Sequence, residues 1–325
     1  MSKVRCIWHF DRASLKNRPG SIIALATFFV LFVLLSLYPL YHEVIAIPSY
    51  DKESVFESYR AAIAQYEAQY DGLDAPFSRN IALYRYCLKV GKTEFEFFSA
   101  QSLQRRIAGY EGVAFAFSIA EASHILMPII TGVFTVLLFG NKTRLRLLSR
   151  FCGRQSILSE TSSRILSLLI PFFLVPLLVS LVLLWSSPNT TILALSERAF
   201  TEESVYLALG WRFGMTFAES LVFFFSSYWL LALTHNRFFA AALPVALTLI
   251  LFLITQKGFR FTFGYYGELS EENAVLYTAI PFANLFLHAN VVPSSLGLIV
   301  LYGFAALLGF TAPLASRHFL KRASL

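Results

Sequence analysis

Six long apolar stretches alternate with polar segments along the chain. A helix needs about 20 apolar residues to cross the hydrocarbon layer of a bilayer, and each stretch reaches or approaches that length. The predicted spans are residues 21–45, 113–139, 165–185, 205–233, 238–255 and 291–315. The pattern predicts an all-α polytopic membrane protein with six transmembrane helices, the first of which is expected to be a retained anchor and not a cleaved signal.

The long polar segment 46–112, between the first two predicted spans, predicts a small helical insertion outside the cytoplasm. Over 51–70, apolar residues recur at three- and four-residue spacing, as they do on one face of a helix. Asp71-Gly72 and Ala75-Pro76 end this helix, and a second helix is expected over 93–110. Two interpretations stay open for this insertion: a spacer that covers the helix ends, or a surface that handles substrate.

Two other segments are expected to lie at the membrane surface. Residues 1–20 place Val4 and Trp8 near one face and basic residues elsewhere, which is typical of an interfacial helix; the alternative is a disordered basic tail. Residues 274–287 form an apolar run that is too short to cross the bilayer and is interrupted by Pro281. Such a run suits a re-entrant segment before the sixth span.

The distribution of charge predicts the orientation. Hydrophobic residues make up 56% of the chain and charged residues 14%, whereas soluble domains have about 25% charged residues. Fifteen Lys and Arg residues fall in four alternate segments (the N-terminal tail, the loop 140–164, the turn at Arg237 and the C-terminal tail), against only Asp11 and Glu160 as acids. Because basic residues accumulate on cytoplasmic segments, both termini are expected in the cytoplasm, and the net charge of +7 does not indicate nucleic-acid binding.

Four ionisable residues fall inside predicted spans. Glu121 and His124 lie one turn apart in the second span, and Arg212 and Glu219 lie two turns apart in the fourth. Ionisable groups are costly at this depth, which makes them candidates for function. They could form a proton relay, contact substrate along a pathway, or pair with one another to hold the helices together.

The sequence contains no motif that predicts catalysis in this chain. Glu121 and His124 have no convincing set of further metal ligands, and His288 is too isolated to complete one. The serine-hydrolase elbow, the paired-histidine zinc motif and the phosphate-binding glycine loop are all missing from the sequence. No metal site, catalytic residue or ATP-hydrolysing motif is therefore predicted.

The loop 140–164 is the most informative segment. Leu145, Leu148 and Cys152 recur at helical spacing among basic residues, and Gly153 then turns the chain. Such a segment forms a rigid handle on the helix bundle, which a partner protein could grip. The alternative is a basic loop that binds anionic lipid.

In its topology and in this loop, the chain resembles the membrane subunit of type-2 ATP-binding-cassette (ABC) exporters. The loop between the second and third spans of that family forms a coupling helix with paired leucines, an arginine and a closing Ile-Leu, which Ile157-Leu158 match here. Asn141 and Lys142 stand where the family has an acidic residue, and its proline is missing. The resemblance implies that the following residues contact an ATPase subunit: Leu145, Leu147, Leu148, Ser149, Arg150, Arg154 and Ile157.

The resemblance also implies the partners. Separate cytoplasmic ATPase subunits would carry ATP and Mg, and a second permease subunit, identical or related, would complete a dimer. A single cysteine in the outside segment and a short cytoplasmic loop suit a bacterial inner membrane. The expected cargo is an amphipathic peptide, a lipid-like or a drug-like molecule. Two alternatives are a membrane sensor or scaffold whose insertion binds a ligand, and an intramembrane enzyme that uses Glu121, His124 and His288.

Overall fold

The computed structural model describes most of the helical bundle and the insertion. The described residues are 19–37, 40, 44–45, 49–70, 78–97, 106–107, 111–139, 170–185, 187, 191–196, 199–247, 250, 279 and 295–323. The predicted interfacial residues 1–18, the coupling loop 140–164 and all but residue 279 of the predicted re-entrant segment 274–287 lie outside these ranges.

The described residues are mostly helical. We number the helices α1 (Pro19–Ser36), α2 (Lys52–Gln69), α3 (Arg79–Val90), α4 (Glu111–Phe139), α5 (Ile170–Trp185), α6 (Val205–Thr234), α7 (Arg237–Leu247) and α8 (Ser295–Ala323). A short 3-10 helix, Glu94–Glu96, follows α3. The predicted helix over 51–70 is confirmed as α2, which begins after Asp51, whose side chain accepts a hydrogen bond from the backbone N–H of Glu53.

Three helices are long and apolar enough to cross a membrane. These segments are Gly112–Leu137, Val205–Thr234 and Ser295–Ala312, and they correspond to the second, fourth and sixth predicted spans. Helices α1, α5 and α7 contain shorter apolar segments, namely Ala26–Ser36, Phe173–Trp185 and Arg237–Leu247. The described helices therefore identify a membrane protein, while the count of six spans stays a prediction.

The sequence predicted an all-α protein, whereas the structure also contains four strands among its described residues. Strands β3 (Thr191–Ser196) and β4 (Ala199–Ser204) form an antiparallel hairpin immediately before α6. Strands β1 (Val44–Ile45) and β2 (Arg106–Ile107) form a short parallel pair that ties the two ends of the insertion together. The predicted helix over 93–110 is wrong for the described residues of that range, which form the 3-10 helix Glu94–Glu96 and strand β2. The second helix described in the insertion is α3, which ends at Gly91 with a positive φ of 70°.

The insertion and the hairpin share one small core, which we call the cap: α2, α3, the 3-10 helix, β3 and β4. Tyr59, Cys87, Phe97, Leu193 and Phe200 are buried together there, and the Tyr59 ring stacks on the ring of Tyr84, with centroids 4.3 Å apart. Ile192, the neighbour of Leu193 in β3, is also buried, but it belongs to the core of the bundle beside α4 and α6. Because successive side chains of a strand point to opposite faces, β3 packs against the cap and the bundle at once.

Helices α4 and α6 run in the same direction. Glu121 contacts Arg212 in the first half of both helices, and a Cβ placed on Gly132 would lie 3.0 Å from the Ser227 hydroxyl in the second half of both. Residue numbers that rise together along an interface define a parallel pair. The chain must therefore return to the starting side between α4 and α6.

Helices α5 and α1 run opposite to α4. The Ser180 hydroxyl donates to the carbonyl of Ala116 at 3.3 Å, and Leu183 lies beside Gly112, so residue numbers fall along α5 as they rise along α4. Helix α1 is also antiparallel to α4. Leu35 of α1 accepts a hydrogen bond from Ser118 of α4, whereas the earlier residue Phe28 lies in one cluster with the later residue Ile130. Helix α5 therefore supplies the return between α4 and α6.

Helix α8 runs parallel to α6. The Tyr302 hydroxyl donates to the carbonyl of Gly214 at 2.7 Å, and Gly309, about two turns further along α8, lies against the ring of Phe225, about three turns further along α6. Between these helices, α7 starts after a tight turn in which His235 adopts a φ of 55° and the Asn236 side chain accepts from the N–H of Phe239. Helix α7 therefore begins at the same end of the bundle at which α6 stops.

Candidate functional site: a buried polar cluster between α4 and α6

The four ionisable residues predicted from the sequence meet at one interface. Glu121 and His124 lie on one face of α4, and Arg212 and Glu219 lie on one face of α6. Because α4 and α6 are parallel and packed along much of their length, the two polar faces meet at matching heights. The sequence predicted each face separately, and the packing of the two helices brings them into contact.

The Arg212–Glu121 pair occupies the end of the cluster nearest the cap. The guanidinium Nη2 of Arg212 donates to Oε1 of Glu121 at 2.6 Å. Arg212 is buried, whereas 33% of the Glu121 side-chain surface is exposed. A contact this short between opposite charges is a charge-assisted hydrogen bond, and it neutralises both groups within the apolar bundle.

Two side chains of α6 approach the same nitrogen of His124. Its Nδ1 lies 3.0 Å from Oγ1 of Thr216 and 3.4 Å from Oε2 of Glu219. The Thr216 hydroxyl has a single hydrogen, which it donates to the carbonyl of Arg212 at 2.9 Å. The tautomer with its proton on Nδ1 lets Thr216 accept from His124 while it donates to Arg212.

The second half of the cluster is sealed from the surface of the chain. His124, Thr216 and Glu219 are each 0% exposed, and His124 and Glu219 stand near the midpoints of α4 and α6. A charge in such a place is costly unless an opposite charge or a proton neutralises it. The 3.4 Å contact between His124 and Glu219 is an ion pair when the imidazole is protonated and the carboxyl is ionised.

Four other hydroxyl groups of the two helices are hydrogen-bonded within their own helix. Ser123, Thr131 and Thr135 of α4 each donate to the carbonyl four residues earlier, as does Ser220 of α6. This pattern allows polar side chains to lie in an apolar bundle at low cost. These hydroxyls therefore do not require a ligand, unlike the ionisable groups beside them.

Thr216 is the functional candidate that the sequence analysis missed. Hydroxyl residues are common in apolar helices, so a threonine alone carries little information. Its position one turn after Arg212 and three residues before Glu219 places it on the same helical face, and that spacing is the available signal.

The cap carries a separate set of polar contacts. Lys92 pairs with Glu202 of β4 at 3.2 Å, which links α3 to the hairpin. Oε2 of Glu96 accepts from the backbone N–H of Thr93 at 2.6 Å, and Oε1 accepts from Lys52. Burial opposes ionisation of Glu96, but these hydrogen bonds outweigh it and lower the pKa of that carboxyl.

Burial acts in the opposite direction on two other groups of the cap. It raises the pKa of the Glu94 carboxyl. It also raises the pKa of the Cys87 thiol to about 12, with smaller contributions from the negative charges of Glu94 and Glu96. Cys87 is 0% exposed, so the thiol is protonated and shielded at neutral pH.

The predicted ATPase-contact residues lie outside the described ranges, so their geometry stays a prediction: Leu145, Leu147, Leu148, Ser149, Arg150, Arg154 and Ile157. His288, the third residue of the enzyme alternative, lies outside them too. Across the ranges that the structure describes, no three His, Cys, Asp or Glu side chains group to hold a metal ion.

Comparison of the chain with family models, with curated proteins and with solved structures gives no match.

Proposed function

We propose that this chain is the membrane-spanning permease subunit of an ATP-driven exporter with six spans and with both termini in the cytoplasm of a bacterium. Separate ATPase subunits, which carry ATP and Mg, would grip the loop 140–164, and a second permease subunit would complete the pathway. The cargo would be an amphipathic peptide, a lipid-like or a drug-like molecule. The type-2 ABC exporter resemblance supplies this assignment.

The observation that carries the proposal is the direction of the helices. Helices α4, α6 and α8 run one way, while α1 and α5 run the other way. The loop 140–164 leaves the end of α4 and enters α5, so both of its anchors lie at the end of the bundle away from the cap. A basic loop at one end and a folded cap at the other fit the positive-inside pattern.

The experiment is a pull-down of the tagged chain in mild detergent, with mass spectrometry and an ATPase assay of the eluate. A stoichiometric ATPase subunit is expected with the native chain. It should be lost when Leu147, Leu148 and Ile157 are changed together to Asp, because charged side chains in an apolar contact strip oppose docking.

The matched control places the same three charges at the other end of the molecule. Ala61, Ala64 and Ala68 are exposed on α2 of the cap, and their joint replacement by Asp should leave the ATPase bound. A folded native chain that elutes without any ATPase would contradict the proposal.

A sensor is the second candidate, and one observation favours it. The cap has its own buried core, and β4 runs directly into α6, which carries Arg212 and Glu219. A ligand that changed the packing of the cap would therefore act on the helix that holds the polar cluster. A folded chain without an ATPase partner would shift the assignment to this candidate.

A further inference from the structure

We propose that Glu121 binds the ammonium group of an ethanolamine lipid headgroup, at a half-exposed stripe of α4 between α1 and α6. This lipid site requires only that α4 and α6 cross the membrane, so it is independent of an ATPase partner and of any cargo. Three features define the site: the stripe on α4, the carboxylate of Glu121 and the level of the exposed tryptophans near it.

Helix α4 is half-exposed along one narrow stripe. Half-buried residues recur there at three- and four-residue spacing, whereas most other described residues of α4 are buried. The stripe consists of Phe115, Ser118, Glu121, Ile125, Ile129 and Val133. The Ser118 hydroxyl donates to the carbonyl of Leu35 in α1 at 2.9 Å, and Glu121 accepts from Arg212 in α6. At this height the stripe therefore lies between α1 and α6.

Glu121 is the charged member of the stripe. Its Oε1 accepts from Arg212, yet 33% of the Glu121 side-chain surface stays exposed, whereas Arg212 is only 5% exposed. The carboxylate, and not the guanidinium, is therefore presented at the surface of the chain. A molecule that approaches from outside meets negative charge and hydrogen-bond acceptors, and a cation with N–H donors complements both.

Exposed aromatic side chains place the headgroup layer close to this carboxylate. Trp185 at the end of α5, and Tyr206 and Trp211 in the first two turns of α6, are exposed at the cap end of the bundle. Trp and Tyr concentrate at the boundary between lipid headgroups and hydrocarbon. The residue after Trp211 is Arg212, whose side chain contacts Glu121. The carboxylate therefore lies roughly one helical turn, about 5 Å, from the aromatic level.

The chemistry of the lipid follows from this position. Hydrocarbon offers no partner to an exposed carboxylate, whereas a headgroup one helical turn away can reach it. The ethanolamine headgroup ends in a primary ammonium group, whose N–H bonds can donate to a carboxylate oxygen. The quaternary ammonium group of choline has the same charge and no N–H. Because a charge-assisted hydrogen bond adds to the attraction between the charges, Glu121 should select ethanolamine over choline.

Quenching of tryptophan fluorescence by brominated lipid tests this selection. The full chain keeps Trp211 as its single tryptophan, with Trp8, Trp185 and Trp229 replaced by Phe, and is reconstituted in phosphatidylcholine nanodiscs. The same small mole fraction of lipid is exchanged for chain-brominated phosphatidylethanolamine or for chain-brominated phosphatidylcholine. The ethanolamine lipid should be enriched about tenfold beside Trp211, as expected for one hydrogen bond to a charged group.

A second chain, which retains only Trp185, reports on the lipid elsewhere at the same end of the bundle. Leu183, close to Trp185 in α5, lies beside Gly112, which is about 14 Å from Glu121 along α4. The two brominated lipids should quench Trp185 equally. A preference of the same size at Trp185 and Trp211 would mean general enrichment around the chain and would overturn the proposal.

Variants of the carboxylate complete the test in the chain that retains Trp211. Glu121→Gln should abolish the preference, whereas Glu57→Gln, the same change at an exposed cap residue, should leave it unchanged. The double variant Glu121→Gln, Arg212→Gln removes the stranded guanidinium as well and should also lack the preference.

Two results would overturn the proposal at Glu121 itself. Equal quenching of Trp211 by the two lipids, with Glu121 intact, would show that the headgroup is not selected, and this result needs no carboxylate variant to fold. A preference that survives in the double variant would show that the ammonium group binds elsewhere.

Discussion

At the scale of single residues, the chain contains two kinds of charged pair, one exposed to solvent and one inside the bundle. Arg60 and Glu53 form an exposed pair on α2, with more than half of each side chain in solvent. Arg212 and Glu121 form a pair inside the bundle, where the arginine is only 5% exposed. Water screens the first pair, whereas removal of one member of the second leaves the other in an apolar setting.

We expect Arg212→Gln to lower the free energy of unfolding by roughly 2 to 4 kcal/mol, because it leaves Glu121 without its counter-charge. The double variant Arg212→Gln, Glu121→Gln should recover part of this loss, since it also removes the stranded charge. Equilibrium unfolding in mixed detergent micelles measures both effects. Arg60→Gln is the control and should change stability by less than about 0.5 kcal/mol. Equal losses in the single and double variants would contradict the pairing.

The lowered pKa of Glu96 predicts that the stability of the cap depends on pH. Its pKa is lowered in the folded cap, so its contribution is present above the unfolded pKa and is lost as the pH falls through the folded value. Glu94, whose pKa is raised by burial, acts with the opposite sign and favours the folded cap at low pH. Glu96→Gln should therefore weaken the cap by about 1 kcal/mol at neutral pH, as expected for a lost capping interaction, and by less in acid.

The Cys87 thiol provides the readout. Since it is buried, and since burial raises its pKa to about 12, it should react with a maleimide only when the cap opens. The labelling rate at a set denaturant concentration is compared between the native cap and Glu96→Gln, with Cys6 and Cys152 replaced by Ser in both. Equal rates at neutral pH would contradict the role assigned to Glu96.

At the scale of elements, the close approach of α4 and α5 depends on one glycine. A Cβ at Gly112 would lie 2.6 Å from the backbone carbonyl of Leu183, a distance that no change of side-chain conformation relieves. Gly210, on α6, has open space where its Cβ would be. The same substitution therefore has opposite consequences at the two positions.

Gly112→Ala should destabilise the bundle, because α5 must move away from the start of α4 and lose packing near Leu184 and Val113. A loss of roughly 1 to 3 kcal/mol is expected, the usual cost of overpacking. Gly210→Ala should be neutral or should stabilise by up to about 1 kcal/mol, the helix-propensity difference between the two residues. Thermal unfolding of the two variants side by side measures the contrast, and similar melting temperatures would contradict the packing described.

Sequence patterns predicted some elements well and missed others for physical reasons. Apolar length alone locates α4, α6 and α8, because a bilayer imposes a minimum span that soluble helices do not need. The β3–β4 hairpin was not predicted from the sequence. Ile192 and Leu193 are adjacent in sequence but are buried in two different cores. Since Ile192 packs against the bundle and Leu193 packs against the cap, both faces of β3 are apolar at this point. The strand therefore shows no simple alternation of apolar and polar residues.

The polar cluster was half predictable for a related reason. The one-turn spacing of Glu121 and His124, and the two-turn spacing of Arg212 and Glu219, place each pair on one helical face. Which face meets which depends on the parallel direction of α4 and α6, and this direction is a property of the packed bundle. From a single sequence, the relative direction of α4 and α6 can be predicted only from the number and orientation of the spans.

At the scale of the whole molecule, helix direction and charge lead to the same topology. The cap is formed from the segment between α1 and α4 together with the hairpin between α5 and α6, two connections that meet at one end of the bundle. The basic loop 140–164 and the turn at Arg237 connect helices at the other end. Since basic segments accumulate in the cytoplasm, the cap is expected on the outer side of the membrane.

Cysteine accessibility in intact cells tests this topology most directly. Single cysteines are placed at the exposed Ala61 of α2, at Arg237 in the turn after α6, and at Ser324 in the C-terminal tail, in a chain without Cys6, Cys87 and Cys152. A membrane-impermeant maleimide is predicted to label position 61 in intact cells, and positions 237 and 324 only after the membrane is permeabilised. Labelling of position 61 together with position 237 or 324 in intact cells would contradict the topology and, with it, the permease assignment.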